Sequence, residues 1–289
     1  MQPNYTLQWP GHKLVLGART AVMGIVNVTP DSFSDGGRFQ VPDAAIKQGR
    51  RLADAGADII DIGGESTRPF ADPVTEDEEI QRVIPVIETL AAQVAIPISI
   101  DTTKAAVAAA ALAAGASIIN DISALRMDAD MTAVAARAQV PVIVMHMKGT
   151  PGNMQLNPVY DDVVAEVYQF LSDTIDNAVE RGIHRNRLII DPGIGFGKTG
   201  RHNLLLLKEL NRFKDLGVPI LIGTSRKRFI RDILKPPGTK DIAPDSPEVE
   251  TGSQASMAAA VLNGAHIVRV HNVANTRAMV DVIDAIRFA

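Results

Sequence analysis

Residues 96–121, IPISIDTTKAAVAAAALAAGASIIND, contain the pattern that decides the fold. A short apolar run at 96–101 ends in an acid, an alanine-rich stretch of helical length follows, and a second apolar run ends in Asn120 and Asp121. Short β-branched runs that are apolar on both faces are typical of strands in parallel sheets. The segment therefore predicts a strand–helix–strand unit with a polar group at the carboxyl end of each strand.

The same kind of run recurs along the chain. We expect eight strands, at residues 21–27, 58–63, 96–101, 117–121, 141–146, 187–191, 219–223 and 266–271. Stretches of helical composition lie between them, including 43–55, 76–93, 103–114, 161–181 and 254–263. Eight such units without a linker favour a closed (β/α)8 TIM barrel of the α/β class over an open doubly wound sheet.

Glycines stand where several of these helices must end. Left-handed helix caps are expected at Gly56, Gly115, Gly182, Gly217 and Gly264.

Two short runs, at 5–9 and 12–16, predict a hairpin that closes the amino-terminal end of the barrel. We expect a single domain over residues 1–289, with the hairpin in 1–20 and the barrel in 21–289. Residues 235–250, rich in Pro, Gly and Asp, predict a surface loop.

Composition limits the possible functions. The 289 residues are 46% hydrophobic and 21% charged, which is typical of a globular chain. A net charge of −4 gives no basic field for nucleic acid or anionic lipid. The absence of cysteine excludes thiolate chemistry and disulfides. The start of the chain has no apolar signal segment, so we expect a cytoplasmic protein that does not bind a membrane.

The predicted strands end in polar residues, and in a barrel these ends converge on one mouth. The strand-end groups are Asn27, Asp61, Asp101, Asn120, Asp121, His146, Asp191, Ser225, Arg269 and His271. Such one-sided clustering predicts an active site. The alternative is that the Asp and Asn side chains only bind strand-end backbone amides.

Two carboxylates and an amide, from Asp101, Asp191 and Asn120, suit the edge of a nitrogen heterocycle. Pro192 favours an extended Asp191. The glycines of residues 191–199, DPGIGFGKT, match neither the P-loop nor the dinucleotide spacing. They either let the backbone approach a flat ligand, with Phe196 for stacking, or form a tight βα turn.

Cationic residues follow other strands. Arg269 lies inside an apolar run, so its charge requires a phosphate ligand or a structural Asp partner. Asn27 has an oxygen suited to Mg²⁺ and could equally cap the backbone. Residues 29–37, with Phe33, predict either a mobile lid or an ordinary polar loop. Histidine spacing gives no transition-metal motif, and no serine-hydrolase elbow occurs.

Five segments together resemble the dihydropteroate synthase family, in order and over nearly the whole chain. They are GIVNVTPDSFSDGG at 24–37, ESTRP at 65–69, DPGIGFGK at 191–198, SRK at 225–227 and RVH at 269–271. The resemblance implies condensation of 6-hydroxymethyl-7,8-dihydropterin pyrophosphate with p-aminobenzoate, with Mg²⁺ assisting. It also implies a homodimer.

The resemblance also implies roles for individual residues. The pterin would be held by Asp101, Asn120, Met145, Asp191, Phe196 and Lys227. Pyrophosphate would be held by Asn27, Arg269 and His271, with Asn27 also binding the metal. The p-aminobenzoate pocket and its lid would use Phe33, Thr67, Arg68, Pro69 and Ser225. Lys227, Arg269 and Asp101 would carry most of the catalysis. The chain departs from the family pattern at Phe70, where glycine is frequent, and at Asn272, where aspartate is usual.

Two other functions fit a pterin-binding barrel. A pterin-dependent methyltransferase domain would need a corrinoid partner and no pyrophosphate-binding cations, so Arg68, Lys227 and Arg269 disfavour it. A non-catalytic pterin-binding protein would keep the pocket without a working lid. Turnover of both substrates distinguishes the synthase from either alternative.

Overall fold

The computed structural model describes residues 3–29, 40–66 and 72–289. It begins with an antiparallel hairpin of β1 (Tyr5–Trp9) and β2 (His12–Leu16). Alternate side chains of both strands are buried, as a hairpin with one face on a core requires. The ring of Tyr5 packs edge-on against His266, with centroids 5.1 Å apart, at the start of the last barrel strand. The hairpin therefore covers the amino-terminal end of the barrel, as predicted.

Eight parallel strands form the barrel. They are β3 (Ala21–Asn27), β4 (Ile59–Gly63), β5 (Ile98–Asp101), β6 (Ile118–Asp121), β7 (Val142–Met145), β8 (Leu188–Asp191), β9 (Leu221–Ile222) and β10 (Ile267–Val270). The neighbours run in the order β8-β7-β6-β5-β4-β3-β10-β9. A parallel bridge between Ile190 and Ile220 joins the two ends of this order and closes the ring. The predicted (β/α)8 barrel is confirmed.

Helices follow the strands and cover the outside of the barrel. They are α1 (Gln40–Asp54), α2 (Glu76–Ala91), α3 (Ala105–Ala113), α4 (Met131–Ala138), α5 (Val163–Glu180), α6 (Gly200–Lys208), α7 (Arg228–Leu234), α8 (Pro247–Leu262) and α9 (Val273–Phe288). The five glycines expected after helices all have positive φ, between 69° and 112°. Their left-handed conformation turns the chain back toward the next strand.

The predicted surface loop over 235–250 is wrong for its last four residues, which belong to α8. Ser246 precedes Pro247 at the first helical position, where the missing amide hydrogen is not needed. Glu248 and Glu250 then place negative charge in the first helical turn, which the helix dipole favours. These local signals outweigh the loop-like composition of the segment.

The apolar runs are buried on both faces, which explains why they do not alternate. Ile59, Ile60 and Ile62 of β4 are all inaccessible to solvent, as are most strand residues around the ring. One contiguous cluster of buried side chains includes the hairpin, the barrel strands and the inner faces of the helices. Within the described ranges, no helix is both long and apolar enough to cross a membrane.

A buried ionic cluster joins three elements beside the barrel mouth. The Lys104 ammonium, just before α3, lies 2.8 Å from Glu65 after β4 and 2.5 Å from Glu79 of α2. Glu65 also accepts a hydrogen bond of 2.9 Å from the backbone of Val74. Burial raises the pKa of the Glu79 carboxyl, and the Lys104 charge opposes that effect. Lys104 therefore compensates a carboxylate that has no access to water.

Replacing Lys104 with Met should destabilise the fold, because it leaves the Glu79 carboxylate buried without its cation. We expect the free energy of unfolding to fall by roughly 3 kcal/mol in urea denaturation. The control is Glu78→Gln, which breaks an exposed pair with Arg82. That change should cost no more than about 0.5 kcal/mol. Equal losses in the two variants would contradict the role assigned to burial.

Candidate active site

Arg269 of β10 is the centre of a polar cluster at the carboxyl ends of the strands. Its Nε donates to Oδ2 of Asp61 at 2.6 Å, and its Nη2 donates to Oδ2 of Asp101 at 2.7 Å. The Nδ2 of Asn120 also donates to Oδ2 of Asp61, at 3.2 Å. The cluster therefore brings β4, β5, β6 and β10 together. The sequence left two partners open for Arg269, a phosphate ligand or a structural Asp. The structure contains the Asp partner.

The charged groups of this cluster shift one another's pKa values. Burial raises the pKa of Asp101 to about 7; Arg269 opposes the rise, and the Asp61 carboxylate adds to it. Burial also acts to lower the pKa of Arg269, but Asp61 and Asp101 outweigh it and hold the pKa above its ordinary value. The guanidinium therefore stays charged, while Asp101 titrates near neutral pH. Only two of the five guanidinium N–H groups are used in these bonds, and the side chain is 22% exposed.

A second charged pair lies across the mouth, at Asp191 of β8 and Lys227. Burial raises the pKa of Asp191, and the Lys227 charge opposes this. Burial lowers the pKa of Lys227 to about 8, against the effect of Asp191. The Lys227 ammonium donates to the backbone oxygen of Ile194 and lies 4.6 Å from the centroid of the Phe196 ring. Asp191 also accepts a 2.7 Å hydrogen bond from the amide of Gly193, so it supports the turn as well as the site.

The glycine-rich turn after β8 packs closely on the chain that follows β7. Gly193 has a φ of 71°, and a Cβ atom there would lie 1.9 Å from the backbone oxygen of His146. A Cβ atom at Gly197 would lie 2.4 Å from the oxygen of Lys148. These glycines are needed for contact between two backbone segments. Of the two interpretations open from the sequence, the structure favours the tight βα turn.

An apolar wall lies beside these charges. Ile122, Met145, Met147 and Met154 form a cluster that is separate from the main core, and the partly exposed Phe196 packs against it. Met145 and Phe196 are thus brought together as predicted. Sequence reasoning missed Ile122, Met147 and Met154. Ile122 and Met147 lie one and two residues beyond the ends of β6 and β7, which was the available signal, whereas Met154 lies nine residues beyond β7 and gave no such signal.

Ser225 and His271 form a pair after β9 and β10. The Ser225 hydroxyl lies 3.0 Å from Nδ1 of His271 and accepts a 3.3 Å hydrogen bond from its backbone amide. The family resemblance implied that Ser225 binds p-aminobenzoate and that His271 binds pyrophosphate. His271 follows the last strand residue, so the predicted strand over 266–271 is one residue too long at this end. The next residue, Asn272, caps α9 by accepting from the amide of Asn275.

Other predicted residues lie elsewhere. Asn27 is at the carboxyl end of β3, opposite Gly63 in register, and is half-buried. No hydrogen bond joins it to the Arg269 cluster in the described ranges. Asp121 accepts from the amides of Ser123 and Leu125, which is the backbone role that the sequence left as the alternative. Phe33, Thr67, Arg68 and Pro69, together with Phe70 and positions 30–37 of the predicted lid, lie outside the described residues.

Asp61 is a strand-end group to which the sequence assigned no substrate. It is inaccessible to solvent and binds both Arg269 and Asn120. Like Asp101 it follows apolar residues, but it lies two residues before the end of the predicted strand over 58–63, whereas Asp101 is the last residue of its predicted strand. Depth in the barrel, and not residue type, distinguishes the two.

Replacing Asp61 with Asn should lower the pKa of Asp101, because a like charge is removed and Arg269 is left with one carboxylate partner. We expect a decrease of about one pH unit, measured by carbon-13 NMR titration of labelled aspartate with Asp101→Asn for assignment. Asp173→Asn, at an exposed position of α5, removes the same charge outside the cluster and should leave the titration unchanged. An unaltered Asp101 titration in Asp61→Asn would refute the coupling.

Comparison with known proteins identifies the family. The family described as pterin binding enzyme matches residues 23–271. A dihydropteroate synthase from Synechocystis is 47% identical over 270 residues, which cover 93% of this chain and 91% of the relative. A structure of the Xanthomonas albilineans dihydropteroate synthase with 4-aminobenzoic acid has a TM-score of 0.90 and 48% identity, covering 99% of this chain and 100% of the other. A structure from the same organism in complex with 7,8-dihydropteroate has a TM-score of 0.84 and 46% identity, covering 95% and 97%. The chain therefore belongs to the dihydropteroate synthase family of pterin-binding enzymes.

Proposed function

We propose that this enzyme condenses 6-hydroxymethyl-7,8-dihydropterin pyrophosphate with p-aminobenzoate to give 7,8-dihydropteroate and pyrophosphate. The observation that carries the proposal is the set of buried and half-buried charges at one barrel mouth, where three acid groups and an amide lie beside two cations. A heterocycle with ring N–H groups and an anionic leaving group needs both kinds of partner. The ligands named for the two Xanthomonas structures, 4-aminobenzoic acid and 7,8-dihydropteroate, support this substrate class.

In this proposal the pterin lies between the apolar wall and the two charged pairs. Asp101 and Asp191 accept from ring and amino N–H groups, and Asn120 both donates and accepts. Phe196 and Met145 contact the faces of the ring. Lys227, held over Phe196 by Ile194, donates to an acceptor at the pterin edge. Each polar edge of the heterocycle then has a partner that is already in position.

The pyrophosphate lies on the side of Arg269. The remaining N–H groups of its guanidinium face an anion, and His271 with Ser225 extends the same side of the mouth. Among the described residues, no three His, Asp or Glu side chains converge into a metal cage. Mg²⁺ bound with phosphates commonly uses one or two protein oxygens, so the carboxamide oxygen of Asn27 at the rim fits that donor set. When bound, Mg²⁺ would neutralise charge that develops on the pyrophosphate.

The chemistry then requires ionisation more than proton abstraction. The C–O bond to pyrophosphate breaks, and positive charge at the exocyclic methylene spreads into the dihydropterin ring. The aromatic amine of p-aminobenzoate attacks, a C–N bond forms, and the amine passes one proton to water or to the released pyrophosphate. Arg269 stabilises the departing anion, while the Asp101 and Asp191 carboxylates stabilise the electron-poor pterin. In this scheme p-aminobenzoate binds beside Ser225, and the contribution of Phe33, Thr67, Arg68 and Pro69 to its binding stays a prediction from the sequence.

We further propose a homodimer that acts in the cytoplasm. Apolar side chains stand exposed on neighbouring helices of one side of the barrel, where Ile233 of α7, Leu262 of α8 and Ile286 of α9 are each more than half exposed. Exposed apolar groups on adjacent elements favour an interface between subunits. The cytoplasmic location stays a prediction.

The direct test is an assay of dihydropteroate and pyrophosphate, with each substrate omitted in turn and with Mg²⁺ or a chelator. We expect product only with both substrates, and a rate at least about 100-fold lower after chelation. Excess Mg²⁺ should restore the rate. Tight pterin binding without product would support the methyltransferase or the non-catalytic alternative.

Replacing Lys227 with Met should lower kcat/KM for the pterin substrate by roughly 10²–10³-fold, since it removes a buried donor beside Asp191. Initial rates at saturating p-aminobenzoate measure the change. The matched control is Arg228→Met, because Arg228 is the next residue and its side chain is 77% exposed. A loss of similar size in Arg228→Met would show that the effect is not specific to Lys227.

A further inference from the structure

A second lysine, Lys198, is buried behind the pterin side of the mouth and has no part in the reaction described above. It is 3% exposed. Its Nζ donates to the backbone oxygens of Phe196 at 3.0 Å and His146 at 3.3 Å, and lies 2.9 Å from Nδ1 of His146. Burial lowers the pKa of Lys198 well below its ordinary value. One amino group thus contacts the turn after β8 and the segment after β7 at the same time.

The turn after β8 is held by side chains from several elements. The oxygen of Ile194 accepts from Lys227, that of Gly195 accepts from Gln155 at 2.7 Å, and that of Gly197 accepts from Tyr160 at 2.8 Å. Lys198 completes the series at Phe196. Four successive carbonyl groups therefore point to fixed donors, which leaves the turn a single conformation.

Gln155 and Tyr160 also belong to the chain after β7, but Lys198 differs from them because it contacts His146, at the very start of that chain. His146 directly follows Met145, and its backbone amide donates to the backbone oxygen of Asp191 at 2.9 Å. Burial lowers the pKa of His146 to about 2, with Lys198 adding to the effect, so the imidazole is neutral. A neutral ring offers Lys198 a nitrogen partner without charge repulsion. Phe170 packs edge-on against the same ring, with centroids 4.8 Å apart, and holds its orientation.

We propose that Lys198 is a positioning residue for the pterin subsite, which it shapes by tying the Phe196 carbonyl to the backbone and ring of His146. This link sets the separation of Phe196 from Met145, the two residues of the apolar wall that the proposed function assigns to the pterin faces. It also orients the Phe196 ring beneath the Lys227 ammonium. The inference rests on that proposed function for its substrate, but the link itself is a property of the protein.

The test compares Lys198→Met with His146→Phe, which keeps an aromatic ring against Phe170 but removes Nδ1. Binding of 6-hydroxymethyl-7,8-dihydropterin pyrophosphate is measured by calorimetry without p-aminobenzoate, well below the melting temperature of each variant. We expect the Kd to rise about tenfold in Lys198→Met and about threefold in His146→Phe. The KM for p-aminobenzoate, at saturating pterin substrate, should stay within about twofold of the wild-type value. Lys208→Met, an exposed lysine at the end of α6, should change neither quantity.

Different failures have different meanings. A Lys198→Met protein with a lower Tm but unchanged pterin Kd would overturn the proposal, because Lys198 would then serve stability alone. An equal increase in the Kd for the pterin substrate and in the KM for p-aminobenzoate would also overturn the proposal, since the effect would not be confined to the pterin subsite. If Lys198→Met does not fold, an unchanged Kd in His146→Phe overturns the proposal. A wild-type protein that binds the pterin but forms no dihydropteroate would refute the proposed function and leave the comparison of Kd values interpretable.

Discussion

The structure depends on a guanidinium placed inside a barrel. Arg269 stands in the middle of a buried strand, where an unpaired charge would be strongly unfavourable. Its carboxylate partners, Asp61 and Asp101, lie 208 and 168 residues earlier in the chain. Only closure of the sheet, with β10 beside β3 and β4 next in order, brings these groups within reach. The ion pairs therefore form only when the barrel closes, and the barrel mouth acquires its charge at the same step.

This constraint explains how a protein with a net negative charge places a partly exposed guanidinium at the barrel mouth, where the proposed function puts the pyrophosphate. Asp61 is inaccessible to solvent and neutralises part of the Arg269 charge from below, while Asp101 binds from the side of the mouth. The hydrogen bonds to Asp61 and Asp101, and not packing, fix the direction of the remaining N–H donors of the guanidinium. A charged side chain held at two points loses little further freedom on binding an anion, which is the advantage of a preorganised site.

Much of this organisation could be predicted from the sequence, because a parallel barrel has a simple local signature. Apolar runs predicted the strands, and glycines predicted the helix ends. The partners of each polar group could not be predicted, since they depend on strand register. Asn120 and Asp121 are adjacent and both buried, yet Asn120 pairs in register with Asp101 and faces the cluster. Asp121 points to the opposite face and binds the amides of Ser123 and Leu125. A change of one position along a strand thus separates a site residue from a structural one.

The same register explains how Asp61 differs from Asp101 and how it affects the pKa of Asp101. It lies deeper than Asp101, at a level where barrels are filled by apolar side chains. Burial, with the Asp61 charge adding to it, raises the pKa of Asp101 to about 7. In the proposed reaction, a pterin N–H that donates to Asp101 favours the ionised form of this carboxyl. The ionised carboxylate would then face the pterin when positive charge develops on its methylene carbon. Under that proposal, pterin binding lowers the pKa that burial and Asp61 raise.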